Sequence, residues 1–174
     1  MRILVAVGSK HGSTAELATA LAAGLRHHGA DVDVRAPEAV SSVADYDVVI
    51  VGSAVYRNRW LRAVRDFLDE HAVALRRRDV FLFSSGPIKE QGRPVNNNYD
   101  VAPAMARTGA LEHRTFAGKI DPAVLSAGER VVVRMTGARL GDFRDWDEIG
   151  SWASEIVAGV SGRTGARVPT EQIR

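Results

Sequence analysis

The chain has 174 residues, enough for one sizeable core and too few for two ordinary domains. Hydrophobic residues make up 45% and charged residues 25%, which excludes a disordered, fibrous or membrane-spanning chain. With no cysteine, disulfides, thiolate metal sites, cysteine nucleophiles and cofactor attachment through sulfur are excluded, and a formal charge of +2 is too small to imply nucleic acid.

Met1, Arg2 and the apolar residues 3–5 open directly on a strand, with no long hydrophobic stretch or small-residue cleavage site, so a cytoplasmic location is expected. Residues 3–7 form a continuous apolar run ending at Gly8, the pattern of a strand buried on both faces of a parallel sheet. Ser13 followed by Glu16 reads as a capping box, and Leu17, Ala18, Leu21, Ala22 and Leu25 continue at helical spacing until Gly29. Residues 31–35, 48–51 and 80–83 read as further strands, and residues 113–118 as a candidate fifth. Between the third and fourth, Leu61, Val64, Phe67, Leu68, Ala72 and Leu75 mark one apolar helical face. Asp145 with Glu148 is a second capping-box pattern, which Ile149, Trp152, Ala153, Ile156 and Val157 extend into a closing amphipathic helix. Strands alternating with helices give a doubly wound parallel sheet within residues 1–160, and residues 161–174 are expected to be a mobile tail. Residues 121–141 stay open: Val131, Val132 and Val133 suit a strand, while Asp121 and Pro122 suit a helix start.

In such a sheet a ligand lies beyond the carboxyl ends of the strands, where the strand order reverses. Three loops answer that description: residues 8–14, 52–60 and 84–98. The first, Gly8, Ser9, Lys10, His11, Gly12, Ser13 and Thr14, sets backbone N–H groups and three hydroxyls at a helix N-terminus, which suits a phosphate. It is neither a Walker loop, since Lys10 lies on the wrong side of Gly12, nor a Gly-x-Gly-x-x-Gly dinucleotide fingerprint. The acidic cluster and acceptor Asp of a phosphoryl-receiver domain are missing, because those places hold Gly8, Ser9, Gly52 and Ser53.

Ser9-x-His11-Gly12-Ser13-Thr14 resembles the flavodoxin phosphate loop, Ser/Thr-x-Thr-Gly-x-Thr, with His11 in place of the middle Thr. The Ser-Lys-x-Gly-x-Thr variant is similar to that of flavodoxin-type proteins related to the menaquinone-dependent protoporphyrinogen oxidases. Supporting stretches are Val49 to Ala54 and Phe143 to Trp146. The resemblance implies a flavodoxin-like fold with five parallel strands in the order 2-1-3-4-5. It implies non-covalent FMN, with the phosphate on Ser9, Lys10, His11, Gly12, Ser13 and Thr14. The flavin ring is then expected between Ser53, Ala54, Val55, Tyr56, Arg57 and Asn58 on one side and Ser84, Ser85, Gly86 and Pro87 on the other.

Tyr56 either covers a flavin face or is an ordinary exposed loop aromatic. Residues 84–87 either address the ring with their backbone or simply turn the chain, and the asparagines 96–98 read as surface polarity or a lid. Arg57, Arg59, Arg62 and Arg65 read first as a solvated helix face, with attraction to the reduced flavin as the alternative. Arg76, Arg77 and Arg78 are taken to complement the C-terminal dipole of their own helix, and Trp60, Trp146 and Trp152 to be core or interface anchors. No metal-ligand spacing and no side chain acting as catalytic acid or base is identified. The expected function is an FMN-binding electron-transfer flavoprotein, either an oxidoreductase of the protoporphyrinogen oxidase type or a single-electron carrier, a non-catalytic flavin-binding module being a further alternative. Its expected partners are a redox protein or a small quinone- or porphyrinogen-like molecule. No nucleic acid and at most peripheral membrane contact are expected.

Overall fold

The computed structural model describes residues 1–86, 98–137 and 140–166. Strand β1 (Arg2–Gly8) leads through the first loop into helix α1 (Ser13–His27), and β2 (Asp31–Arg35) pairs beside β1. β3 (Val48–Tyr56) turns back on the short β4 (Arg59–Trp60), followed by α2 (Arg62–Glu70), α3 (Ala72–Leu75) and β5 (Asp79–Gly86). α4 (Val101–Thr108) and β6 (Glu112–Ala117) complete the sheet. An excursion then carries β7 (Lys119–Ile120), α5 (Ala127–Thr136) and β8 (Gly141–Asp142) before the closing helix α6 (Trp146–Ala166).

The main sheet runs β2-β1-β3-β5-β6 through parallel pairs, with the two-residue β4 attached antiparallel to β3. With β4 set aside, this is the expected path of five parallel strands. The register puts Ile3 beside Val32 and Val48, and Ile50 beside Phe81, so successive apolar residues feed opposite faces. On one face Ile3, Val5, Ile50, Phe81 and Phe83 meet α1 and α6. Trp152, fully buried, lies edge-on to Phe81 and Phe83 there. On the other face Leu4, Ala6, Val49, Val51 and Leu82 meet Val64, Phe67, Leu68, Leu75 and Ala104. Two buried faces explain why these strands read as unbroken apolar runs.

Several local expectations change. Ser13 does not cap α1: Gly12, at φ 84°, takes the N-cap position, Ser13 Oγ accepts Lys119 N–H at 3.0 Å, and Glu16 pairs with Arg144. The apolar face of residues 61–75 is split at His71, whose buried ring meets Val40 O and Phe67. Arg76 donates to the carbonyls of Ala106 and Arg107 at the end of α4, so it serves a neighbouring helix rather than its own. The three valines 131–133 lie in a helix, not a strand, because Ser126 and Glu129 form a capping box just ahead of them. α6 extends through residues 161–166, which the sequence assigns to the tail; residues 167–174 lie outside the described residues. Among the described residues no helix is long and apolar enough to cross a membrane.

Candidate functional site

A cavity of about 1220 Å³ opens beyond the carboxyl ends of β1, β3 and β5, at the switch point where the chain leaves β1 toward β2 and leaves β3 toward β5 on the opposite side. Its floor comes from the first loop: Ser9, Lys10, His11, Ser13 and Thr14 line it. Gly12 supplies the left-handed turn that starts α1 and does not itself reach the cavity wall. Ser9 Oγ is buried with no hydrogen-bond partner among the described residues. A buried hydroxyl is costly to leave unpaired, so this atom marks where a ligand oxygen belongs. Together with the N-terminal N–H groups of α1 and the Ser13 and Thr14 hydroxyls, it gives a donor set that fits a phosphate.

The second wall is the β3–β4 hairpin, which contributes Ala54, Val55, Tyr56, Arg57 and Asn58. Arg57 and Asn58 both hold positive φ, 49° and 60°, as a two-residue turn between paired Tyr56 and Arg59 demands. Tyr56 is half-buried, its ring under Lys10 Nζ (5.1 Å to the centroid) and edge-on to His11. Burial pushes its phenol up to about 12, with the nearby Glu129 charge adding to the effect. Ser53 is fully buried and does not line the cavity; its hydroxyl accepts Leu61 N–H and donates to Ala54 O, fixing the hairpin from behind. Of the arginine cluster, only Arg57 lines the cavity: Arg59 pairs with Asp100 and Arg62 with Asp66 along α2.

From β5, Ser85 and Gly86 reach the cavity. Ser84 turns the other way: its hydroxyl accepts Trp60 Nε1–H at 2.8 Å and lies 2.9 Å from His113 Nε2. Pro87, Asn96 and Asn97 lie outside the described residues.

Sequence reasoning misses the third wall, which is the excursion. Gly118, Lys119, Ile120, Asp121, Val124, Leu125, Ser126, Gly128, Glu129 and Val133 face the same cavity. Glu129 Oε1 lies 2.7 Å from Lys10 Nζ and 2.9 Å from His11 Nε2, and these donors hold the Glu129 carboxyl far below the usual carboxylate range. The Ser-x-x-Glu pattern at 126–129 was available as a signal, but nothing in the sequence tells which loop that glutamate meets. A second hollow, about 1070 Å³, lies at the amino ends of the strands beside Met1, Asp47 and Asp79. It offers neither a helix N-terminus nor a switch point, so the first cavity is the candidate site.

Residues 4–147, well over half the chain, match the family model described as a flavodoxin domain. No curated protein sequence matches the chain significantly. Among solved structures, an archaeal flavodoxin is 20% identical with a TM-score of 0.64, over 92% of this chain and 99% of that one. A flavodoxin from Streptococcus pneumoniae TIGR4 is 22% identical with a TM-score of 0.61, over 91% and 99%. Rubredoxin oxygen:oxidoreductase from Desulfovibrio gigas is 17% identical with a TM-score of 0.64, over 94% of this chain and 37% of that one. At these identities the structural likenesses speak for the fold alone.

Proposed function

The chain belongs to the flavodoxin family, whose cofactor is FMN, and from that premise we propose that it is an electron-transfer flavoprotein holding FMN in the cavity described above. In this reading Ser9, Ser13, Thr14 and the backbone N–H groups of residues 9–14 take the phosphate. Tyr56 lies against the ring, and the backbone of Ala54 to Asn58 and of Ser85 and Gly86 meets its polar edge. Bound FMN supplies the redox chemistry, accepting and releasing electrons. The protein's part is to bind and orient the group, exclude water with the hairpin and the excursion, and set the local charge through Arg57. The partner of this electron transfer is a redox protein.

The observation that carries the reading is the buried Ser9 Oγ at the mouth of α1, which has no partner among the described residues. The protein is expected to purify yellow, or to bind FMN when flavin-free, and to prefer FMN over riboflavin. Ser9→Ala should reduce that preference about tenfold, the loss of one hydrogen bond to a charged group. A colourless protein that shows no FMN binding on titration would overturn the reading.

A second reading, an oxidoreductase acting on a quinone- or porphyrinogen-like molecule, is favoured by the apolar wall of Ile120, Val124, Leu125 and Val133 on the cavity. Anaerobic reduction followed by mixing with a quinone, and separately an assay of protoporphyrinogen oxidation, distinguish it. Turnover in either supports an enzyme; absence of both leaves the carrier.

A further inference from the structure

The phosphate loop contains a lysine and a histidine, the side chains that ordinary electrostatics would aim at an anion. Here both are turned toward a carboxylate. Glu129 Oε1 takes Lys10 Nζ and His11 Nε2, while Oε2 accepts Ser126 N–H at 2.9 Å and Ser126 O–H at 2.8 Å. The Glu129 side chain is 20% exposed, so the pairing is only partly screened by solvent.

Among the described residues, the segment that carries Glu129 contributes none to the two apolar clusters of the core. None of residues 121–131, 133–135, 137 and 140 is buried, and Val124, Val131 and Met135 are each more than half exposed. Its neck is secure: Lys119 and Asp142 stand opposite each other in the β7–β8 ladder, Lys119 N–H reaches Ser13 Oγ, and Arg144 bridges Asp142 and Glu16. Beyond the neck, apolar burial is too small to fix α5, which belongs to the low-stability end of the structure. Its inner side chains nevertheless wall the cavity.

We propose that Glu129 is a positioning residue that takes the Lys10 ammonium and the His11 imidazole out of phosphate recognition and uses them to hold α5 closed over the cavity. The loop then reads the phosphate through neutral donors: Ser9 Oγ, Ser13, Thr14 and the α1 N–H groups. Ser13 Oγ already accepts Lys119 N–H, which leaves its own proton free to donate. This inference rests on the placement of the phosphate at residues 9–14 proposed above.

The test uses full-length protein with FMN and riboflavin as probes, and hydrogen exchange over residues 124–135. Glu129→Gln should speed exchange in that segment about tenfold. It should also free Lys10 for the phosphate, raising the FMN-over-riboflavin preference about fivefold and steepening its salt dependence. Lys10→Met should speed the same exchange while leaving the preference unchanged, and the double variant should exchange no faster than the faster single one. A Lys10→Met protein that loses its preference for FMN would show that Lys10 binds phosphate and would overturn the proposal, as would unchanged exchange in Glu129→Gln. Circular dichroism and thermal unfolding confirm that each variant is folded. Should the unsubstituted protein bind no FMN, the functional reading itself falls, a result separate from either outcome of the variants.

Discussion

His113 is half-buried between Trp60 and the Ser84 hydroxyl, and burial pushes its imidazole down to about 4, outweighing the opposing pull of Glu112. The folded protein therefore refuses a proton that the unfolded chain, at the ordinary value near 6.5, accepts. Stability from this group is fully present above about pH 6.5, falls as the pH drops toward 4, and levels off below that. The whole effect is at most about 3 kcal/mol. His113→Gln keeps a hydrogen-bonding partner for Ser84 and removes the titration, so its urea midpoint should fall less than that of the parent between pH 6.5 and 4.5. Parallel curves for the two proteins would exclude the assignment. The same neighbourhood shows what single residues conceal. Gly52, Ser53 and Ser84 belong in the sequence to the two loops expected to hold the flavin ring. Yet a Cβ on Gly52 would lie 2.0 Å from the Phe83 ring, and both serines spend their hydroxyls on the hairpin and on Trp60. Small residues at strand ends answer equally to core packing and to ligand approach, and only the neighbours decide.

At the scale of elements, the buried strands and the helices α1 and α6 were legible because their periodicity coincides with their burial. Helix α4 was not recognised, since only Ala104 and Thr108 of its eight residues are buried. Capping shows the limit more sharply. Ser13-x-x-Glu16 and Ser126-x-x-Glu129 are the same local pattern, but Arg144 captures Glu16 and leaves only the second to close as a box. The β3–β4 hairpin is a third case. Its two central residues, Arg57 and Asn58, occupy left-handed backbone that a glycine adopts without cost, and a two-residue hairpin of this kind favours Asn-Gly. Asn58→Gly should stabilise the fold by about 0.5 kcal/mol, the relief of one strained position less the added freedom of the unfolded chain. Thermal unfolding of the flavin-free protein measures it; a clear loss of stability would mean that the Asn58 side chain supports the turn.

Across the whole molecule, two apolar layers flank one sheet, and the excursion of residues 119–142 lies outside both of them. Its place could not be read from the sequence because α5 is amphipathic toward a ligand cavity and not toward the core: Val133 faces the cavity while Val131 and Met135 face solvent. The fold should consequently survive without it. Ile120 and Gly141 are paired across the neck, so residues 121–140 can be replaced by an Asn-Gly turn that closes β7 onto β8 as a two-residue hairpin. Since the core clusters of the described residues include nothing from the deleted stretch, the far-ultraviolet circular dichroism of the sheet and helices should persist, and the thermal midpoint should move by no more than about 5 °C. Affinity for FMN should fall about tenfold, because the cavity loses its third wall and Tyr56 its shelter from water, whereas preference for FMN over riboflavin should hold or rise as Lys10 and His11 lose Glu129. A collapse of the midpoint by 15 °C or more would place the excursion among the elements that hold the fold together. Retention of full FMN affinity would instead remove it from the binding site and leave residues 9–14, 54–58 and 85–86 as its part among the described residues.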